Sequence, residues 1–361
     1  MKPKASTPKR IKKKQRTSLA VSIIFSLIAL FALTVAIVVL LFNYSLKNQI
    51  EQLNSEKADL IAYNNEHPYS QEDLDNQFEV LKEQYAKDER QELLNEIKDV
   101  VSNGNSSYYL MRSLFPNDVV LMAETGFDFI PVDPNLKKAS LAVENYYQDA
   151  DSDEVLYAED EKVISQKGID VSSHNGKIDW TKVKDDNVTY CIVRMGYRGS
   201  TEGKLATDTT FEYNISNAIK NGIETGVYFY TQAINEEEAI EEAKYVLDAI
   251  EAYDVKGPIC YDIEDYPGGR ADNLEPEVYT ACTKAFCKTI KDAGYEPMIY
   301  GNLNTFFRML NVAELEEYDK WFAAYMFPVY YPYEYKIWQY SSSGSVMGIK
   351  GKVDMNIRVV K

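Results

Sequence analysis

From Gly168 to the C-terminus two hydrophobic periods take turns, and this alternation limits the fold more than any other property of the chain. Short apolar runs at 168–171, 191–195, 227–230, 257–260 and 297–300 have the length and composition of strands. Between them, apolar residues recur every three to four positions, as one face of a helix requires: Phe211, Ile215, Ala218 and Ile219; then Ala239, Ala243, Val246 and Ile250; then Val278, Cys282, Phe286 and Ile290. Asp179 stands where it can cap a helix starting at Trp180. Three further strand candidates follow at 321–325, 336–340 and near Val353, where helical periodicity fades. Repeated strand–helix units predict a parallel sheet, open and doubly wound or closed into a barrel. Eight strand candidates in about 195 residues favour an α/β fold of the irregular TIM-like (β/α) barrel type, with helices mainly after the first five strands.

The bulk chemistry excludes several functions. The formal net charge is −17, and residues 1–16 hold eight Lys/Arg and no acid, so the remainder is more acidic still. Such a body disfavours nucleic acid as a partner and suits an uncharged or zwitterionic polymer. Ser172-Ser173-His174-Asn175-Gly176, after the first strand, is neither G-x-G-x-x-G nor a P-loop, so no nucleotide cofactor is expected. Cys191, Cys260, Cys282 and Cys287 form no C-x-x-C pair, and His67 and His174 are the only histidines, so no metal site is expected either. The cysteines read as buried thiols, with a Cys191–Cys260 disulfide as the alternative.

The N-terminal half divides by composition. Residues 1–18 form a basic tail. Residues 19–42 carry no charge and, as a helix of roughly 36 Å, would cross a bilayer. The preceding lysines and arginines place the N-terminus in the cytoplasm and the rest outside, on a single-pass anchor in the cell membrane; so long an apolar run exceeds a cleaved signal peptide. Residues 43–105 read as a helical stalk. Leu46, Ile50, Leu53 and Leu60, then Leu74, Phe78, Leu81 and Tyr85, make apolar stripes broken at His67-Pro68. The stripes fit a short coiled coil, hence a homodimer, or a helix folded back on its neighbour. In 106–140, Val119-Val120-Leu121-Met122 and Phe127-Asp128-Phe129-Ile130 flank Glu124-Thr125-Gly126, the pattern of a β-hairpin. Residues 141–164 include eight acids and no base from Glu144 to Glu161, a solvated linker that Tyr146, Tyr147 and Tyr157 could pin in places. The barrel unit occupies 165–361.

The strongest chemical pattern is Tyr261-Asp262-Ile263-Glu264-Asp265, after the apolar run Gly257-Pro258-Ile259-Cys260. Residues two apart on a strand share a face, so Asp262 and Glu264 should project together at the strand's C-terminal end. Two carboxylates held close split their pKa values into a proton donor and a negative charge, the pair that glycoside hydrolysis uses. Alone, a D-x-E pattern is common in structural strands.

Ordered motifs add to it. Gly168-Ile169-Asp170-Val171-Ser172 with Ile178-Asp179-Trp180, Arg194-Met195-Gly196-Tyr197, Gly226-Val227-Tyr228-Phe229-Tyr230, Asp262-Ile263-Glu264, Trp338-Gln339-Tyr340-Ser341, Gly348-Ile349 and Val353-Asp354-Met355-Asn356 occur in that sequence order. Over about 165–361 the chain thereby resembles glycoside hydrolase family 25, the muramidases (lysozymes) that cut the β-1,4 bond between N-acetylmuramic acid and N-acetylglucosamine in peptidoglycan. The resemblance implies an eight-stranded irregular barrel and no cofactor. It makes Glu264 the general acid, and Asp262 a stabiliser of the positive sugar or an orienter of the substrate's 2-acetamido group. Asp170 and Asp354 would line the same cleft. On the residues alone, Asp170 could cap a turn and Asp354 could pair with Arg358 or Lys352 on a loop.

Tyr228, Tyr230, Tyr300, Trp321, Tyr325 and Trp338 are strand aromatics from which sugar-stacking subsites would be drawn, while barrel aromatics are also ordinary core. Tyr330, Tyr331, Tyr333 and Tyr335 crowd a proline-containing loop and read as exposed glycan contacts. His174 reads as a polar residue of the cleft edge, and Arg270 as a residue that reaches substrate or nothing. The leading reading is a membrane-tethered peptidoglycan hydrolase that remodels the wall. The alternatives are a non-catalytic wall-glycan binder on the same fold, and a stalk that docks partners with the barrel as cargo.

Overall fold

The computed structural model describes residues 37, 39–58, 61, 70–102, 107–123, 126–149 and 152–360. The chain divides into two compact units, residues 1–110 and 111–361. In the first, residues 39–58 are helical and α1 spans Gln71–Ser102. Ser70 and Asp73 cap α1 reciprocally: the Asp73 amide donates to Ser70 Oγ, and the Ser70 amide to Asp73 Oδ2. Lys57 joins the two helices, 2.7 Å from Asp75 Oδ1 and 4.7 Å from the centroid of the Phe78 ring. Leu81 and Tyr85 of the second predicted stripe are exposed. The predicted membrane span 19–42 falls outside the described residues except for 37 and 39–42. Among the described residues no helix is long and apolar enough to cross a membrane.

A short helix α2 (Ser107–Leu114) spans the boundary in sequence between the units, and an antiparallel hairpin follows it, β1 (Asp118–Met122) and β2 (Phe127–Pro131). The stretch expected as a solvated linker folds instead: β3 (Tyr146–Gln148), β4 (Val155–Glu159) and β5 (Lys162–Val163) form a small sheet. Glu144, Asp149, Asp153, Asp160 and Glu161 are exposed, Glu159 accepts from the Tyr157 hydroxyl, and Tyr146 and Tyr157 are buried edge-to-face against each other. Tyr146 also packs on Trp338, so three aromatic rings outweigh the average composition of the segment.

The barrel strands are β6 (Ser165–Val171), β7 (Tyr190–Arg198), β9 (Glu224–Tyr230), β10 (Ile259–Asp262), β11 (Pro297–Gly301), β12 (Asp319–Ala323), β13 (Ile337–Gly344) and β14 (Val353–Val359), with β8 (Leu205–Thr207) added outside β7. All eight predicted strands are present. Pairing of β6 with both β7 and β14 closes the sheet; of the eight barrel strands β14 runs antiparallel to its neighbours, as the added β8 does to β7. Gly168 is required at that seam, because a Cβ there would meet the Tyr190 ring at 2.1 Å.

Four helices cover the first half of the barrel: α3 (Trp180–Asp185), α4 (Phe211–Lys220), α5 (Glu236–Ile250) and α6 (Pro276–Asp292). Asp179 caps α3, as expected, and Asn235 caps α5, which carries three glutamates in its first turn where the helix dipole favours them. Gly222 and Gly294 adopt positive φ just past α4 and α6, ending both. A fifth full helix, expected after β11, is absent. A π-helical turn (Thr305–Met309) and a 3₁₀ turn (Val312–Leu315) take its place. Threonine, two phenylalanines and flanking asparagines favour turns over a long helix here.

Strand alternation sorts two cores. Val193, Phe229, Tyr261 and Phe322 face the helices and loops, and Tyr261 stacks on Phe286 of α6 at 4.2 Å. Tyr190, Ile192, Cys260, Met298, Tyr300, Trp321 and Ile337 fill the barrel interior. The four cysteines are buried free thiols. The 330–335 loop does not expose its tyrosines as expected. Tyr331 and Tyr333 are buried, and Tyr330 accepts from the Val120 amide and donates to the Asp118 carbonyl. Tyr330 thereby holds the β1–β2 hairpin, and Tyr333 accepts from the Asp133 amide, while the rings of Tyr331 and Tyr333 find apolar cover on Phe322 and Phe307.

Candidate active site

Towards the C-terminal ends of the parallel strands, the inward positions change from apolar to polar. On β6 the inward residue is Asp170, on β7 Arg194, on β10 Asp262 and on β13 Gln339. Because β14 is antiparallel to β6, its first residues lie at this same end, and Asp354 sits directly opposite Asp170 in the ladder. Glu264 follows β10 with the alternation preserved: Ile263 turns into the outer core and Glu264 into the cleft. The cleft measures about 1070 Å³ and is lined by Asp262, Glu264, Asp354, Arg194, His174, Tyr228 and Tyr230 among others.

Asp170 lies beneath that lining. Its Oδ2 accepts hydrogen bonds from Gln339 Nε2 at 2.8 Å and Asn356 Nδ2 at 2.7 Å. Each amide is oriented by other partners. Tyr300 and Tyr325 both donate their hydroxyls to Gln339 Oε1, and Trp321 Nε1 donates to Asn356 Oδ1. Their N–H groups therefore have to face Asp170. Asp262 is buried, and its Oδ1 has no hydrogen-bond partner among the described residues. Arg194 is paired with Asp208 at 2.6 Å and donates to Ser173 Oγ at 2.9 Å.

Crowding and burial push Asp170, Asp262, Glu264 and Asp354 upward. Burial, then Asp354, drive Asp170 to about 8 against the two amide hydrogen bonds. Burial, then Glu264 and Asp170, hold Asp262 well above the carboxylate range, with Arg194 opposing. Burial and then Asp354 raise Glu264, and burial raises Asp354 to about 6, with His174 opposing. These four carboxyls thus hold protons more tightly than free ones, while Asp208, against its burial, is lowered by hydrogen bonds from Thr210, Ser173 and Arg194, so the site can both donate a proton and hold negative charge.

The predicted aromatics separate by strand parity. Tyr228 and Tyr230 line the cleft. Tyr325 is 57% exposed and reaches the acids through Gln339. Tyr300 and Trp321 point inward but lie deeper, Trp321 at 1% exposure, so they support the site from below rather than meet a ligand. Trp338 is a correction. It neighbours the inward residues Ile337 and Gln339, so it faces outward and packs against Tyr146 and Tyr340. His174 is an exposed residue of the cleft edge, as expected. Arg270 instead pairs with both carboxylate oxygens of Glu238. Gln339, Asn356 and Asp208 received no role from the sequence, although the alternation of inward residues was enough to point to the first two.

The comparisons follow the same boundaries. Residues 169–349 match the family described as glycosyl hydrolases family 25. An autolytic lysozyme of Clostridium acetobutylicum is 27% identical over 191 residues, which are 53% of this chain and 55% of that protein. The crystal structure of the modular autolysin LytC of Streptococcus pneumoniae is similar at 26% identity and a TM-score of 0.50, covering 66% of this chain and 57% of LytC. LytC in complex with a synthetic peptidoglycan ligand gives 28% identity and a TM-score of 0.51, covering 67% of this chain and 56% of LytC. This chain therefore spans little more than half the length of either relative. With the closed eight-stranded barrel and a family match over half its residues, the chain belongs to glycosyl hydrolase family 25 and is a glycoside hydrolase.

Proposed function

We propose that this protein is a membrane-tethered muramidase that cuts the β-1,4 bond between N-acetylmuramic acid and N-acetylglucosamine in peptidoglycan. The observation that carries this reading is the convergence of Asp262, Glu264 and Asp354 on one cleft above Asp170, with raised pKa values throughout. The lysozyme activity named for the Clostridium relative and the peptidoglycan ligand bound to LytC support the substrate class.

In this reading Glu264, whose hold on its proton burial and Asp354 strengthen, gives that proton to the glycosidic oxygen. The C1–O bond breaks with its electron pair going to that oxygen. Asp262 stabilises the positive sugar directly, or orients the 2-acetamido group so that its carbonyl oxygen takes the positive centre. Water then adds at C1, its proton passing to the deprotonated Glu264, and leaves a reducing end on muramic acid. Asp170 and Asp354 set the charge state of the pair. The uncharged stretch 19–42 behind eight basic residues supports an anchor with the barrel on the extracytoplasmic side. Leu81 and Tyr85, exposed on α1, are the surface a stalk dimer would use.

The test is digestion of purified peptidoglycan by the full-length protein. New reducing ends on muramic acid are expected, with loss of about 10²–10⁴-fold in Glu264→Gln. Tight glycan binding without new ends, from well-folded wild-type protein, would make the barrel a wall-binding module instead. Recovery in the membrane fraction, with the barrel open to added protease from outside the cell, checks the tether.

A further inference from the structure

The turn that replaces the fifth helix holds the segment carrying Glu264. Strand pairing fixes this segment only up to Ile263: the Thr231 amide donates to the Asp262 carbonyl, and the Ile263 amide donates to the Tyr300 carbonyl. The Ile263 carbonyl, immediately before Glu264, accepts instead from the hydroxyl of Thr305 at 3.0 Å. Thr305 is fully buried and opens the π-helical turn. One residue earlier, Asn304 Nδ2 lies 3.4 Å from Asp265 Oδ2, immediately after Glu264. The residues on both sides of Glu264 are thus tied to adjacent residues of one turn. That turn sits tightly on the end of β11, where a Cβ on Gly301 would meet Thr305 Cγ2 at 2.5 Å.

The other side of the turn grips the β1–β2 hairpin, which lies outside the family-matched residues 169–349. Arg308 donates to Asn304 Oδ1 at 3.0 Å and to the Met122 carbonyl at 2.9 Å, and pairs with the Asp128 carboxylate. A continuous series of contacts therefore runs from Asp128 through Arg308, Asn304 and Asp265 to the backbone beside Glu264.

We propose that Thr305 and Arg308 are positioning residues for Glu264, and that the hairpin ahead of the barrel, through Asp128 and Arg308, sets the place of the turn that holds the acid. The inference rests on the reading of Glu264 as the proton donor. Rigid π-turn geometry suits the task, because its i to i+5 bond, Leu310 N to Thr305 O at 3.0 Å, fixes Thr305 independently of the strand. A general acid must lie within hydrogen-bond reach of the leaving oxygen, and a misplacement of about 1 Å can cost roughly 10²-fold.

The experiment uses full-length protein with Thr305→Val, Thr305→Ser, Asp128→Asn and Arg308→Gln. Two readouts are taken: kcat and KM on peptidoglycan, and amide hydrogen exchange at residues 263–266. Thr305→Val, which keeps the shape and loses the hydroxyl, is expected to lower kcat about 10-fold with KM nearly unchanged, and Thr305→Ser to restore it. Asp128→Asn and Arg308→Gln act through a half-exposed pair, so about 2–5-fold in kcat is expected, with faster exchange at 263–266. Wild-type kcat and exchange in both hairpin variants would overturn the hairpin's role, and a Thr305→Ser variant as impaired as Thr305→Val would overturn that of Thr305. Should the wild-type protein release no reducing ends, the muramidase reading fails on its own. Exchange at 263–266 then still decides the positioning claim: faster in Arg308→Gln supports it, unchanged refutes it.

Discussion

Replacing Asp170 with asparagine should make the barrel more stable at neutral pH. Asp170 is buried, and its pKa rises from an ordinary 3.8 to about 8. A carboxyl raised in this way contributes most to stability below pH 3.8 and loses that contribution as pH climbs towards 8, since the unfolded chain releases the proton and the folded one retains it. Each pH unit in that window costs about 1.4 kcal/mol, a ceiling of about 4 kcal/mol at pH 7. Asp354 and Glu264 cause part of the rise, and protonation of one relieves the others, so about 2 kcal/mol is expected. Asparagine has the same shape, carries no proton to lose, and offers an amide oxygen to the N–H groups of Gln339 and Asn356. The three tryptophans, Trp180, Trp321 and Trp338, all lie in the barrel, so fluorescence-monitored unfolding of the full-length protein reports on this unit. Wild type and Asp170→Asn should coincide near pH 3.5 and separate above pH 4. By pH 7 the variant should lead by about 4–8 °C in Tm, with the gap level above pH 8. Peptidoglycan cleavage should fall in the same variant, because a function-bearing acid is held at a cost in stability. A variant no more stable than wild type at pH 7, or a gap independent of pH, would refute the reasoning.

Asp354→Asn removes the charge that, after burial, most raises Glu264, so the alkaline limb of the pH–kcat/KM profile should move to lower pH; an unmoved limb would show the two acids to be uncoupled. Trp338→Ala should cost about 3–5 kcal/mol in urea unfolding through the cavity it leaves, yet leave KM for glycan near wild type, because the ring faces outward. Tyr230→Ala, in the cleft, should do the reverse, raising KM with little loss of stability.

What could be read from the sequence was periodic or local. The eight strands, the Asp179 cap and the shared face of Asp262 and Glu264 all follow from steps of two or about 3.6 residues along one chain. The family resemblance followed from motif order. The errors arose where partners come from distant sequence. Tyr331 and Tyr333 looked like exposed loop residues, and the 141–164 stretch like a solvated linker, because composition does not reveal which surface will cover a ring. Trp338 was assigned to the cleft although its register beside Gln339 turns it outward.

The alternation of hydrophobic periods by itself predicted a parallel α/β sheet, favoured a barrel over an open sheet, and marked the strand ends that would carry the acids, since backbone geometry fixes which residues share a face. Only the folded chain decided how the acids are charged and held. Asp354 meets Asp170 because the last strand closes antiparallel onto the first, and Thr305 reaches Ile263 because a turn stands where a helix was expected. Desolvation and pairing depend on atoms brought together from 40 to 190 residues apart, and no local pattern encodes them.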